Sequence, residues 1–296
     1  MKTSDKVKLI NGYYQLKNKP SKDELTEYYK TKYYQESKGP YQQDYSDKEL
    51  TYIHNTLRRI HRCCEYISPP PLAGKSFLDV GCGEGWALKY FQNIGCHVNG
   101  VDFSSYGIKK FNPELLAWFT EEDIFKFLDK EIRRSHKYDI INLMNIIEHV
   151  LDPENLLLSL KNILSPDGIL IVVFPNDYSP FQEKLLDLGK TEENSWIAIP
   201  DHISYFNKES FSALAQSLDF SIELILADFP IDIFLINDFS NYVKDPAKGK
   251  QAHLSRIEIM NFLSELNLDL AVDVFLNFGK MGFGRALTAF MKVQEA

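Results

Sequence analysis

The sequence predicts an α/β protein built on a doubly wound sheet, and three observations carry that prediction. From residue 72 onward, short apolar runs alternate with helical stretches, the order expected of strand–crossover–strand units. The run over 168–174 is continuous and β-branched, as in a strand buried on both faces. A glycine-rich turn, Gly81-Cys-Gly-Glu-Gly85, follows directly on a strand candidate and opens a helix.

The first seventy residues read differently from the rest. Ten of the sixteen tyrosines fall before residue 67, and 1–70 is expected to be a helical lid and substrate segment. Ser46 with Glu49 forms a capping box, and Leu50, Ile53, Leu57, Ile60, Cys64 and Ile67 recur at helical spacing. Ser68-Pro-Pro-Pro71 stops that helix. A core unit over 71–227 follows, with strands predicted at 76–80, 97–101, 138–144, 168–174 and 220–226. Helices are predicted at 85–93, at 153–164 up to the turn Ser165-Pro-Asp-Gly168, and at 207–218 under an Asn207 cap. Residues 228–253 read as an insertion. A helical stretch, Gly282-Phe-Gly284 and a strand at 287–293 then make 228–296 the segment that completes the sheet. In such a sheet the ligand lies at the carboxyl ends of the strands.

Composition narrows the function. Among 296 residues, 33 Lys and Arg stand against 41 Asp and Glu, a net charge of −8, which argues against broad nucleic-acid binding. The longest apolar run, 169–174, is far short of the ~20 residues that span a bilayer, and Met1-Lys-Thr-Ser-Asp-Lys lacks the apolar stretch of a signal peptide. Cys63, Cys64, Cys82 and Cys96 show no metal-type spacing and read as reduced thiols. The expectation is a cytoplasmic protein, monomer or homodimer, with a small-molecule partner, no nucleic-acid or membrane partner and no metal.

The glycine turn decides between ligands. A dinucleotide fingerprint needs glycine at 86, where this chain has Trp86. Asp79 just before the turn and Glu84 within it would repel a pyrophosphate. Asp102, ending the next strand, is placed to accept from both hydroxyls of a ribose. A nucleoside with a cationic tail satisfies both observations, and S-adenosylmethionine is such a molecule.

Leu78-Asp-Val-Gly-Cys-Gly-Glu-Gly85 resembles the first motif of class I S-adenosylmethionine-dependent methyltransferases. Matches follow in order at Val101-Asp-Phe-Ser104, Asp123-Ile124, Tyr138-Asp-Ile-Ile141, Ile147-Glu-His-Val150 and Leu164-Ser-Pro-Asp-Gly-Ile169. The resemblance implies a Rossmann-like seven-stranded sheet whose last strand is antiparallel. It implies that Asp79 and the turn Gly81, Cys82, Gly83 and Gly85 face the methionine part of the cofactor, with S-adenosylhomocysteine as product. It further implies that Asp102 holds the ribose, Phe103 packs on the adenine, Asp123 accepts from the adenine amino group and Ile124 donates through its backbone. Asn145 would sit near the transferred methyl.

A hydroxyl acceptor benefits from a base, and histidine serves near neutral pH. His149 follows the fourth strand, and His202 lies in Ile199-Pro-Asp-His-Ile-Ser-Tyr-Phe206, which resembles a segment of the quinone-pathway and glycan methyltransferase branch. Both are candidate bases, and neither is preferred. Tyr41 and Tyr45 are candidate lid residues over the acceptor, and Tyr205 a candidate substrate contact. Aromatic and amide side chains suit a polar acceptor, and the N-terminal and C-terminal portions resemble bacterial methyltransferases found with surface-polysaccharide and sugar-modifying enzymes. That resemblance implies a hydroxyl of a sugar or nucleotide-linked sugar in bacterial surface-polysaccharide metabolism as the substrate. A quinone or phenolic precursor is the alternative, and a non-catalytic cofactor-binding module is the reading from another class.

Overall fold

A computed structural model describes residues 4–25, 27, 28 and 44–294. Its main sheet has seven strands in the order β5-β4-β3-β6-β7-β10-β9. These are β3 (Ser76–Val80), β4 (His97–Asp102), β5 (Phe119–Glu121), β6 (Tyr138–Met144), β7 (Leu164–Pro175), β9 (Phe220–Ala227) and β10 (Ala286–Val293). The pairs β3·β4, β3·β6, β4·β5 and β6·β7 are parallel, and β10 runs antiparallel to both β7 and β9. The expected doubly wound sheet with its antiparallel last strand is therefore present.

Alternation along the central strands builds a core on each face. Leu78, Val80, Ile141, Leu143, Leu170 and Val172 point to one side, where Leu128, Leu156, Leu160 and Phe211 cover them. Those come from α4 (Ile124–Arg133), α5 (Pro153–Lys161) and α7 (Lys208–Ser217). Phe77, Ile140, Ile171 and Phe290 point to the other, against Leu57, Leu88, Met260 and Phe275. That face carries α1 (Asp47–Ile67), α2 (Trp86–Asn93), α8 (Gly249–Leu266) and α9 (Leu268–Met281). The capping box of α1 is formed: Glu49 accepts from the Ser46 N–H at 2.8 Å, and Ser46 Oγ accepts from the Glu49 N–H at 3.4 Å. Two further short helices are α3 (Tyr106–Phe111) and α6 (Pro180–Asp187). No helix among the described residues is long and apolar enough to cross a membrane. All four cysteines are buried and unbridged.

Two expectations need correction. The N-terminal segment is not wholly helical: β1 (Val7–Ile10) and β2 (Tyr13–Leu16) form a hairpin that pairs with β8 (Ser204–Tyr205) in a separate three-stranded sheet. Its loop is Asn11-Gly12, both at positive φ (50° and 90°), the two-residue turn whose twist matches antiparallel strands. The second correction concerns 165–168. Tyr138 pairs with Leu164 and Ile140 with Ile169, so that turn is a bulge inside β7 and not a loop before it. The preceding helix accordingly stops at Lys161.

The helix α9 closes on β9 through Gly279, where an added Cβ would fall inside van der Waals distance of the Ile225 carbonyl, a backbone group with no freedom to give. Gly279→Ala is expected to destabilise the fold by about 1–3 kcal/mol, read as a lowered midpoint in urea; an unchanged midpoint would contradict this packing.

Candidate active site

The glycine turn leaves β3 at Val80 with Gly81, Gly83 and Gly85 at φ of 74°, 53° and 79°. The N–H groups of Gly81 and Cys82 both donate to the Val101 carbonyl, at 2.8 and 3.1 Å, which folds the turn over the end of β4. A side chain at Gly81 would also collide with Ile146. Cys82 offers only its backbone, because its thiol is buried against Gly100 and the core.

Two carboxylates sit behind this turn. Asp102 accepts from the Gly83 N–H through one oxygen and from the Ser104 N–H through the other, each at 3.0 Å. Asp79 accepts from Asn142 Nδ2 at 2.7 Å. Burial pushes Asp79 up to about 7 and Asp102 up to about 6. Among the described residues neither forms an ion pair with a protein cation, so a cationic ligand is the missing complement. A ligand carrying an ammonium and a sulfonium fits that charge.

The other expected cofactor contacts lie around the same edge. Phe103 follows Asp102 and is 40 % exposed. The Glu122 N–H donates to the Asp102 carbonyl at 2.9 Å, which brings Asp123 and Ile124 beside the turn. Asp123 is the N-cap of α4, accepting from the Lys126 N–H at 3.1 Å, so part of its acceptor capacity serves the helix. Asn145 adopts φ 52° and donates its N–H to the Val173 carbonyl at 3.0 Å, leaving its side chain exposed at the end of β6.

Glu84 turns away from the cofactor edge. Its Oε2 accepts from both Tyr45 Oη and Trp86 Nε1, at 2.6 Å each. Tyr45 is thereby pinned with its ring 5.7 Å from Trp86 and 5.2 Å from Phe111. Tyr45 lines a cavity, whereas Tyr41 lies outside the described residues. Beneath Tyr45 opens a cavity of about 440 Å³. Asn145 and Trp86 border it on the cofactor side, Tyr52, Ile53 and Ile60 of α1 and Met260 of α8 form its walls.

The two histidines come together. The Ile203 and Ser204 N–H groups donate to the Glu148 carbonyl at 2.7 and 3.1 Å, docking the 199–205 loop on the end of β6. The rings of His149 and His202 stand edge to face with centroids 4.9 Å apart. His149 Nδ1 lies 2.7 Å from the Asp201 carbonyl, which only accepts, so Nδ1 carries the proton and neutral His149 keeps its lone pair on Nε2. Glu148, 1 % exposed, has Oε1 3.7 Å from that Nε2, and burial pushes it up to about 8. Glu148, His149 and His202 offer ligand atoms within 4.8 Å of one another, a convergence that linear spacing did not show. Tyr205 is corrected: it is 1 % exposed and donates to the His202 carbonyl at 3.0 Å, so it positions the loop and does not face an open crevice.

Sequence reasoning missed Glu148 and the ion pair between buried Asp177 and half-buried Arg285, 2.7 Å apart. Arg285 joins the two halves of the site, since its N–H donates to Asp228 in the cavity at 2.8 Å while its guanidinium holds Asp177. The glutamate before His149 at a strand end was the available signal for the first; nothing local announces the second.

The family described as "Methyltransferase domain" matches residues 52–225, more than half of the chain. The chain belongs to this methyltransferase family. Its cofactor is S-adenosylmethionine, and the paired carboxylates behind the glycine turn suit it. The methyltransferase is 32 % identical over 88 residues to the ubiquinone biosynthesis O-methyltransferase of Thiobacillus denitrificans, covering 29 % of this chain and 38 % of that one. It is 25 % identical over 149 residues to the enzyme of that name from Shewanella sp. strain ANA-3, covering 49 % and 63 %. The chain thus spans less than two thirds of the length of either relative. A structure of the plantazolicin methyltransferase BpumL with S-adenosylhomocysteine superposes with a TM-score of 0.50 at 18 % identity, over 93 % of this chain and 91 % of that one, a likeness of fold.

Asp79, Asp102 and Glu148 ionise less readily in the folded methyltransferase than in the unfolded chain. The stability each contributes is complete below the ordinary carboxylate range and is lost as pH rises through about 6 to 8. The cofactor-free protein is therefore expected to melt at higher temperature at pH 5 than at pH 8 by scanning calorimetry. A midpoint that rises with pH over that interval would contradict the burial of these acids.

Proposed function

We propose that the protein moves a methyl group to a hydroxyl of a small acceptor bound in the cavity beneath Tyr45, and that a phenolic ring is the acceptor it suits best. The observation that carries this reading is the lining: Tyr45, Tyr52 and Trp86 with Ile53, Leu57, Ile60, Met144, Val173, Leu226 and Met260 make a largely apolar, aromatic chamber next to Asn145. A flat ring loses little hydration there, whereas a sugar would leave several hydroxyls without partners. The ubiquinone O-methyltransferase name of the distant relatives supports the same choice over the polysaccharide one. A sugar hydroxyl is the second reading, supported by the polar end of the chamber at Asp228, Thr56 and Thr288.

When bound, S-adenosylmethionine supplies an electrophilic methyl on a sulfonium. The chain's own residues do the rest. Asp79 and the glycine turn hold the cationic end, Asp102 the ribose, and Phe103, Asp123 and Ile124 the base. The Tyr45 roof and the apolar walls exclude water and fix the acceptor, so that alignment supplies much of the rate. The base of this reading is His149 or His202, which stand outside the cavity lining, so the hydroxyl must reach them past Asn145; His149 would accept at the Nε2 that its contact with Asp201 leaves basic.

Two substitutions separate binding from chemistry. Asp102→Ala is expected to weaken S-adenosylhomocysteine by about tenfold or more, since a charged acceptor is lost; equal affinity by calorimetry would remove Asp102 from the ribose site. His202→Gln is expected to cut turnover by about 10²–10⁴ with that affinity retained, and the wild-type rate to survive dialysis against a chelator. A rate lost on chelation and restored by Mg²⁺ would make Glu148, His149 and His202 a cation site. Transfer of labelled methyl into fractionated cell extract tests the acceptor: label in aromatic lipids supports the phenolic reading, label in sugar phosphates the second one.

A further inference from the structure

The cavity carries more positive charge than methyl transfer to a neutral ring requires. Two guanidiniums line it, Arg59 from α1 and Arg256 from α8, against one carboxylate, Asp228. Arg59 is only 2 % exposed. Its Nη1 donates to Ser264 Oγ at 2.5 Å and its Nη2 to Thr56 Oγ1 at 2.8 Å, both neutral hydroxyls. Among the described residues it forms no ion pair, and burial pulls it down to about 10. A guanidinium in that position wants a counter-charge.

Asp228 acts on Arg59 only at a distance, without an ion pair or hydrogen bond. Its Oδ1 accepts the N–H groups of Arg285 and Ala286, at 2.8 Å each, and its Oδ2 stands 3.8 Å from Arg256 Nη1. Arg256 has a donor to spare as well. Its Nη2 donates to His253 Nδ1 at 3.0 Å and its guanidinium lies 5.4 Å over the Tyr52 ring, but Nε is buried with no hydrogen-bond partner. Of five N–H donors in such a fork, the one fixed to the stem is the least able to turn elsewhere.

We propose that Arg256 and Arg59 bind an anionic group of the acceptor, a carboxylate or a phosphate, while its hydroxyl lies at the Asn145 and Trp86 side of the same cavity. The inference rests on the methyl-transfer reading and narrows its substrate class to a phenolic acid or a sugar phosphate. Guanidinium groups recognise both anions through paired N–H donors. The apolar walls between the two ends hold the carbon frame, so the anion sets the orientation and hence which hydroxyl is presented.

Calorimetric titration of the protein saturated with S-adenosylhomocysteine tests this with two matched pairs, 3,4-dihydroxybenzoate against catechol and glucose 1-phosphate against glucose. The expected result is at least about tenfold tighter binding of the anionic member in one pair, and the pair that responds names the source of the anion. Arg256→Gln is expected to abolish that preference without changing S-adenosylhomocysteine affinity, and Arg256→Lys, which keeps charge but loses the Nε donor, to retain part of it. Equal binding within both pairs, no binding of any of the four, or a preference that survives Arg256→Gln would overturn the proposal. The same titrations on cofactor-free protein keep the claims apart: failure to bind S-adenosylhomocysteine alone overturns the donor assignment, and loss of the anion preference alone overturns this one.

Discussion

The arrangement of the site depends on the close approach between the glycine turn and the end of β4. Three backbone N–H groups, those of Gly81, Cys82 and Gly83, are satisfied by the Val101 carbonyl and the Asp102 carboxylate. This constraint fixes the turn in left-handed conformations that only glycine adopts cheaply. It also forces Asp102 inward, where its charge is expensive, and places Asp79 behind it in a dry environment. A folded chain holding two such acids beside an open edge is poised for a cation: a bound positive charge lowers their cost of ionisation by the same amount that they strengthen its binding. Such an arrangement is unfavourable in the folded chain alone, and a cation bound beside it would relieve it.

A second clamp sets the acceptor side. The Glu148 carbonyl takes two N–H groups from the 199–205 loop, and Ser204 and Tyr205 continue into a strand pair with β2. The small N-terminal sheet thus reaches across the molecule to hold the loop that carries His202, and buried Tyr205 ties the His202 carbonyl from beneath. Within the described residues the N-terminal segment meets the rest of the molecule through this hairpin and through Tyr45, which donates to Glu84. Backbone bonds hold the loop that carries His202, and they tolerate less drift than side-chain contacts.

What the sequence made legible was what local physics determines. The buried run at 168–174, the Ser46–Glu49 box and the turn at 81–85 each declare themselves through composition or spacing, and the elements appear within a few residues of their expected bounds. Asn11-Gly12 was equally local and equally readable as a hairpin, but the paired tyrosines around it suggested a helical lid. The turn at 165–168 failed differently, because whether a Pro-Asp-Gly motif ends a strand or bulges from it depends on what lies opposite, here Asp139 of β6. Glu148 beside His202, Arg59 beside Ser264 and Arg285 beside Asp177 are separated by 54, 205 and 108 positions. Topology joins them, and no window along the chain contains both partners.

Those long-range partners share a physical character that separates them from ordinary core contacts. A core built for stability alone would replace Arg59 with an apolar side chain, since the guanidinium is tied only to two hydroxyls and packs 5.7 Å over Phe275. It would likewise not bury Glu148 with Oε2 unpartnered. Arg59 lines the cavity, and Glu148 lies among the histidines. Burying a guanidinium without an ion pair and an acid with an unpartnered oxygen makes the fold less stable than an apolar core would be. In the proposed reading the two guanidiniums orient an anionic acceptor by charge, because the apolar part of the lining has no direction of its own. Orientation, more than tightness of fit, is what this distribution of charge selects.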